Sequence, residues 1–268
     1  MGLVQGLTEF LPVSSSGHLV LLPYLFGWDD AFITSLAFSV MLHFGTLVAL
    51  LAYFRADWLR LVPAGLAVLR DRSFRGDPDR RLAWLLAAST IPAALAGMLF
   101  NDVIEASLRG VGLVVVMLVV GAFILAVADR VGKRTRTIEG VTFPIALAIG
   151  AAQALALIPG LSRSGISLSA GRLAGLDREA AARFSFLMAT PITLGAGLYE
   201  TYQVITLDGG PVADPGPLVA GLIASLVAGL LAIHFMLRYL RTRSLDVFVV
   251  YRLILAAAVT AVLVVRTG

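Results

Sequence analysis

The chain has 268 residues, 59% of them hydrophobic and 14% charged, with a mean hydropathy of +0.91 and no cysteine. That much apolar side chain exceeds what a soluble domain of this length can bury, so the composition implies an all-α, polytopic integral membrane protein. Absence of cysteine excludes disulfides, thiolate metal sites and cysteine nucleophiles. The 21 Lys and Arg outnumber the 17 Asp and Glu, but they collect in a few connections, as a positive-inside bias requires, and no nucleic-acid partner is expected.

In chain order, residues 2–13 and 18–27 are each too short to cross a bilayer, ~15–18 Å as helix. Between them stand Pro12 and Ser14-Ser15-Ser16-Gly17. The opening residues lack a basic start and carry Glu9 among apolar neighbours, which argues against a cleaved signal peptide. Residues 2–27 therefore read as a re-entrant helix-loop-helix. Six full spans follow the usual apolar pattern at about 32–54, 82–100, 111–128, 182–199, 217–237 and 247–265. The 55–81 connection carries seven arginines, 129–139 carries Arg130, Lys133, Arg134 and Arg136, and the end of the fifth span carries Arg238, Arg241 and Arg243. All three are expected in the cytoplasm. The 101–110 connection, with Arg109 against Asp102 and Glu105, and 201–216, with no Lys or Arg, are expected outside. The apolar stretch 61–69 is expected to lie at the interface.

A second hairpin, about 143–176, has the same form: residues 143–157, Pro159, Ser162-Arg163-Ser164-Gly165, then 166–176. Sliding the sequence by 148 positions, Gln5 onto Gln153, superposes Leu7 on Leu155, Gly17 on Gly165, Gly27 on Gly175, Asp29 on Asp177, Phe38 on Phe186 and Leu50 on Leu198. An odd number of crossings separates the copies, so they should enter from opposite faces. The expectation is a single membrane domain, 1–268, built from inverted repeats of about 1–130 and 140–268.

Irregular backbone at membrane depth is tolerated only where protein covers it or a polar cavity receives it, so the two loops should meet. Ser15 and Arg163 are equivalent in the repeat, giving a hydroxyl in one copy and a guanidinium in the other. The helix starts that follow favour anions, and a planar fork of donors suits a phosphate. Ser14, Ser16, Gly17, Ser162, Ser164 and Gly165 would line that site with Gln5. The plainer reading, serines that cap helices and ease packing, does not account for an arginine inside an apolar segment. Glu9, four residues after Gln5, must be protonated, accept a proton, or hold a divalent cation, Mg²⁺ or Ca²⁺, against the anion. His18, three residues after Ser15, is placed to move a proton. His43 and His234 read as packed and hydrogen-bonded, Arg252 as snorkelling or paired internally, and Glu200 as a rim residue.

The segment Gln5-Gly-Leu-Thr-Glu9-Phe-Leu-Pro12-Val-Ser14-Ser15-Ser16-Gly17-His18, with Pro159-Gly160-Leu-Ser162-Arg163-Ser164-Gly165-Ile-Ser167, closely resembles the two signatures of the undecaprenyl-diphosphate phosphatases, the bacitracin-resistance proteins of bacterial envelopes. The resemblance runs over nearly the whole chain. It implies a fold of inverted repeats with two re-entrant hairpins, and catalytic serine, histidine and arginine at Ser15, His18 and Arg163, with Gln5 and Glu9 filling the first signature. It further implies removal of one phosphate from a long-chain prenyl diphosphate, usually with a divalent cation, in the bacterial plasma membrane at a site open to the extracytoplasmic side. Ser167 stands where the family usually has Thr, and the chain opens closer to the first signature than family members do, so a truncated first helix or a misassigned start is expected. Expected partners are the prenyl diphosphate and membrane lipids, with a homodimer left open. The rival expectation is a transporter or flippase that carries phosphate or a lipid phosphate without chemistry.

Overall fold

The computed structural model describes residues 1–33, 36–74, 77–107, 110–206 and 215–267, excluding the side chains of residues 36, 37, 101–107, 204 and 267. Arg75, Arg109 and residues 207–214 of the 201–216 connection lie outside the described residues. The described chain is helical: α1 (Gly2–Phe10), α2 (Ser15–Phe26), α3 (Leu36–Tyr53), α4 (Arg55–Asp71), α5 (Pro78–Ser107), α6 (Val111–Val131), α7 (Phe143–Ala154), α8 (Arg163–Leu173), α9 (Arg178–Thr206), α10 (Pro215–Leu240) and α11 (Asp246–Thr267). Among the described residues, the β-structure is an isolated bridge between Arg136 and Leu176.

The helices α5 over Pro78–Phe100, α6, α10 and α11 over Asp246–Arg266 are long and apolar enough to cross a membrane, and α3 with α4 makes a further pair bent by 82°. The chain is a multi-pass membrane protein. Residues 182–199 fall within the 29-residue α9, where Arg183, two threonines and two glycines dilute the apolar run. On α4, Leu61, Ala64 and Val68 are buried while Leu59, Val62, Leu66 and Leu69 are exposed. With apolar groups on both faces, the helix suits a position along the interface.

Two short helices pack parallel to long ones through small residues. Along α1, an added Cβ at Gly2 would meet the Gly221 carbonyl oxygen of α10 at 2.5 Å, and one at Gly6 the Ser225 carbonyl oxygen at 2.4 Å. Along α7, a Cβ at Gly150 would meet the Ser89 carbonyl oxygen of α5 at 2.1 Å, and Arg81 Nη2 reaches the Val141 carbonyl just before α7 at 2.7 Å. Gly2 and Gly150 are related by the 148-residue offset, and both let helix backbones approach closely.

The basic connections come together at one end of the molecule. Arg183 binds both Asp57 oxygens at 2.7 Å, Arg178 binds both Asp129 oxygens at 2.6 Å, and Arg241 binds Glu179 at 2.9 Å. Arg172, fully buried, ties the end of α8 to the Asp129 and Gly132 carbonyls at 3.2 and 3.1 Å. At that end α5 and α11 begin and α6 and α10 finish. Hairpin α7–α8 is anchored there, through Arg81 and Arg172. Hairpin α1–α2 is anchored at the other end, where Gly2 meets Gly221 and Arg266 Nη1 reaches the Tyr24 carbonyl at 2.6 Å.

Candidate active site

The two polar loops have matching backbones. Ser14, at φ 76° and ψ 92°, caps α2 by accepting the Gly17 N–H at 3.2 Å, and Ser162, at φ 75° and ψ 114°, caps α8 by accepting the Gly165 N–H at 3.2 Å. The adjacent hydroxyls repeat as well, Ser14 to Ser16 at 3.3 Å and Ser162 to Ser164 at 3.2 Å. These caps start each helix at Ser15 and Arg163, three residues earlier than the sequence pattern predicts, because a serine oxygen satisfies a first-turn amide that would otherwise lack a partner.

The loops meet. Ser164 Oγ donates to the Leu11 carbonyl of the first loop at 2.9 Å. Ser15 and Arg163, the equivalent pair, are each partly exposed in otherwise buried surroundings, and both turn to the buried carboxylate of Glu9. Ser15 Oγ donates to Glu9 Oε2 at 2.5 Å, Gln5 Nε2 donates to the same oxygen at 3.0 Å, and Arg163 Nη2 pairs with Oε1. Arg163 Nη1 donates to Thr193 Oγ1 and to the Ala189 carbonyl of α9. His43 of α3 lies within electrostatic range of the carboxylate and rests its Nδ1 on the Ser39 carbonyl at 2.8 Å.

His18 faces elsewhere. Its Nδ1 lies 2.7 Å from the Ser14 carbonyl and its Nε2 2.7 Å from Tyr251 Oη. A carbonyl only accepts, so Nδ1 carries the proton, and in the neutral ring Nε2 accepts from the tyrosine hydroxyl. The sequence spacing places His18 beside Ser15; the structure instead gives the serine proton a carboxylate as its acceptor.

Arg252 of α11 is fully buried and sits beneath both loops. It donates to the carbonyls of Pro12 in the first loop at 3.2 Å, of Gly160 and Leu161 in the second at 2.6 and 3.1 Å, and of Met117 and Leu118 in α6 at 3.3 and 3.1 Å. Among the described residues it bonds five carbonyls and no carboxylate, so its positive charge adds to that of the two helix starts. An arginine within an apolar span was the available signal for this residue; Thr193 and Tyr251 gave none, since an isolated threonine or tyrosine in a span is unremarkable.

A cation would find Glu9 and Gln5 here. Gln5 Oε1 is buried without a partner, and one carboxylate with one amide oxygen fits an ion whose remaining ligands are substrate phosphate and water. Among the described residues no cluster of three or more His, Asp or Glu stands ready to hold a metal.

Residues 1–258 match the family described as bacitracin resistance protein BacA. The chain belongs to the BacA family. Relatives named undecaprenyl-diphosphatase agree along its length. That of Desulforudis audaxviator (strain MP104C) is 46% identical over 270 residues, covering 99% of this chain and 97% of the relative. That of Gemmatimonas aurantiaca (strain DSM 14586 / JCM 11422 / NBRC 100505 / T-27) is 45% identical, with 100% and 97% covered. The Nocardioides sp. (strain ATCC BAA-499 / JS614) protein is 46% identical, with 100% and 95% covered. The BacA match covers both polar loops and α11 as far as residue 258, so every residue named in the site lies within it.

Proposed function

We propose that this chain hydrolyses undecaprenyl diphosphate to the lipid monophosphate and inorganic phosphate in the bacterial plasma membrane, recycling the carrier lipid for cell-wall synthesis and conferring bacitracin resistance. The observation that carries this reading is the convergence of Ser15 and Arg163 on opposite oxygens of Glu9, in a chain whose relatives are named for that reaction.

In this reading α3, α5, α6, α9, α10 and α11 are the six spans, and α1–α2 and α7–α8 are re-entrant hairpins inserted from opposite faces. Their anchorage at opposite ends of the molecule supports it. The arginine-rich end is cytoplasmic, and the site opens to the extracytoplasmic side, with the prenyl tail leaving laterally into lipid.

Glu9 and Arg163 neutralise each other in the free protein. An entering diphosphate supplies oxygens that compete for the Arg163 fork, which leaves the Glu9 carboxylate free to take the Ser15 proton. Ser15 Oγ attacks the terminal phosphorus as the bond to the bridging oxygen breaks, and the lipid monophosphate departs. Glu9 passes that proton to the departing lipid phosphate; water then attacks the phosphoserine as Glu9 takes the water proton, and Glu9 returns it to Ser15 Oγ as the serine–phosphorus bond breaks. Arg163, the Gly17 and Gly165 loops and the helix starts stabilise charge on the transferring group. Gln5 and Glu9 would hold Mg²⁺ or Ca²⁺, which when bound neutralises phosphate charge. His18 steadies the cap carbonyl of Ser14 and is itself held by Tyr251.

Carriage without chemistry would need phosphate donors but no hydroxyl bonded to a carboxylate. Purified protein in detergent, where no gradient exists, should release inorganic phosphate from undecaprenyl diphosphate and slow down when a chelator is added. Absence of release from a folded sample would favour the carrier.

A further inference from the structure

At the arginine-rich end a cavity of about 480 Å³ opens between the end of α3, the start of α9 and the end of α10, lined by Tyr53, Glu179, Arg183, His234, Arg238 and Arg241 among others. Its lining carries three guanidinium groups against one carboxylate. Arg241 is bound to Glu179 and Arg183 to Asp57, and the Tyr53 hydroxyl stands 3.4 Å from His234 Nδ1. Arg238, exposed, makes no ion pair or hydrogen bond among the described residues. The α9 helix also begins here and presents the positive end of its dipole.

This cavity is separate from the Glu9 site. Arg183 lies over the Phe54 ring at 5.6 Å, Phe54 packs on Phe186 at 6.5 Å, and Phe186 meets Phe10 edge-on at 5.6 Å. All three phenylalanines are buried, and they close the path between the cavity and the carboxylate next to Phe10. Leading down to it, Val227, Leu231 and Phe235 make an exposed apolar stripe along one face of α10. The stripe ends beside Arg238.

We infer that this cavity binds the phosphate headgroup of an anionic membrane phospholipid, with an acyl chain lying along the Val227–Leu231–Phe235 stripe. A cationic pocket with an unpaired arginine at the foot of a lipid-facing apolar track matches the two ends of such a molecule. Free phosphate would satisfy the arginines but leave the stripe unused. The inference goes beyond the hydrolytic reading and does not depend on it.

The test is titration of the detergent-purified protein with phosphatidylglycerol, phosphatidylcholine of the same chain length, or inorganic phosphate, read as a shift in melting temperature. Phosphatidylglycerol should give a saturable rise that the other two do not. Arg238→Gln should weaken it about tenfold, the ratio that 1.4 kcal/mol carries, and Arg238→Lys should hold it within about threefold, the charge being kept. The Arg238 side chain is exposed and unpaired, so both variants should melt like the wild type without lipid. An equal shift from phosphatidylcholine, an equal shift from inorganic phosphate alone, or an unchanged midpoint in Arg238→Gln would each overturn the assignment. The readout is binding, so its failure leaves the Glu9 site untouched.

Discussion

Ser15 and Arg163, 148 positions apart and equivalent in the repeat, meet on the two oxygens of one carboxylate, Ser15 on Glu9 Oε2 and Arg163 on Oε1. One site is thus made from two dissimilar halves, a hydroxyl from the first polar loop and a cation from the second. Each is bonded to Glu9, and Arg163 is held by Thr193 and the Ala189 carbonyl as well.

If Glu9 accepts the Ser15 proton, Glu9→Gln should lower kcat by about 10²–10⁴, the range for loss of a positioned base. His18→Gln should cost less, because the amide can still bond the Ser14 carbonyl. Steady-state phosphate release from both purified variants checks the order. A larger loss in His18→Gln would return the proton to the histidine.

Ser14 and Ser162 hold positive φ values of 76° and 75°, where glycine is at ease and other residues are strained. Replacing either by Ala removes the cap and keeps the strain, at about 1–2 kcal/mol, whereas Gly removes the cap and relieves the backbone. Melting in detergent should rank wild type above Ser162→Gly and Ser162→Ala lowest.

Arg252 satisfies carbonyls from both loops at once. Arg252→Met would take the donor from the three loop carbonyls of Pro12, Gly160 and Leu161, each costing ~1–3 kcal/mol if left buried and unpaired, and should unfold the loop region or the whole chain. Gly121→Ala is the gentler probe, since its Cβ would fall 2.1 Å from Arg252 Nη2. It should push the guanidinium off the Gly160 and Leu161 carbonyls and reduce kcat while the protein stays folded, as seen by comparing turnover with the melting curve.

Much of this architecture was legible in the sequence because its signals are local. Apolar runs marked the four helices long and apolar enough to cross a membrane. The Gln5-to-Gln153 offset marked two loops with the same serine cap. Arg163 stood out because charge is expensive in hydrocarbon. What escaped depends on side-chain direction and distant packing. Spacing of three put His18 near Ser15, but gave no sign of its hydrogen-bond partners, the Ser14 carbonyl and Tyr251, 233 residues away. Arg252 was visible as a charge, but its partners are backbone carbonyls from three places in the chain, which no side-chain pattern records. The helix starts moved to Ser15 and Arg163 because a cap at positive φ is set by tertiary fit between the loops rather than by propensity.

The central claim is that the guanidinium of the second loop acts on a phosphate held at the serines of the first. Turnover of undecaprenyl diphosphate by purified Arg163→Ala protein tests it most directly. The expected result is a fall in kcat/KM of about 10²–10³ with melting close to wild type. Phosphate release at the wild-type rate would contradict the account.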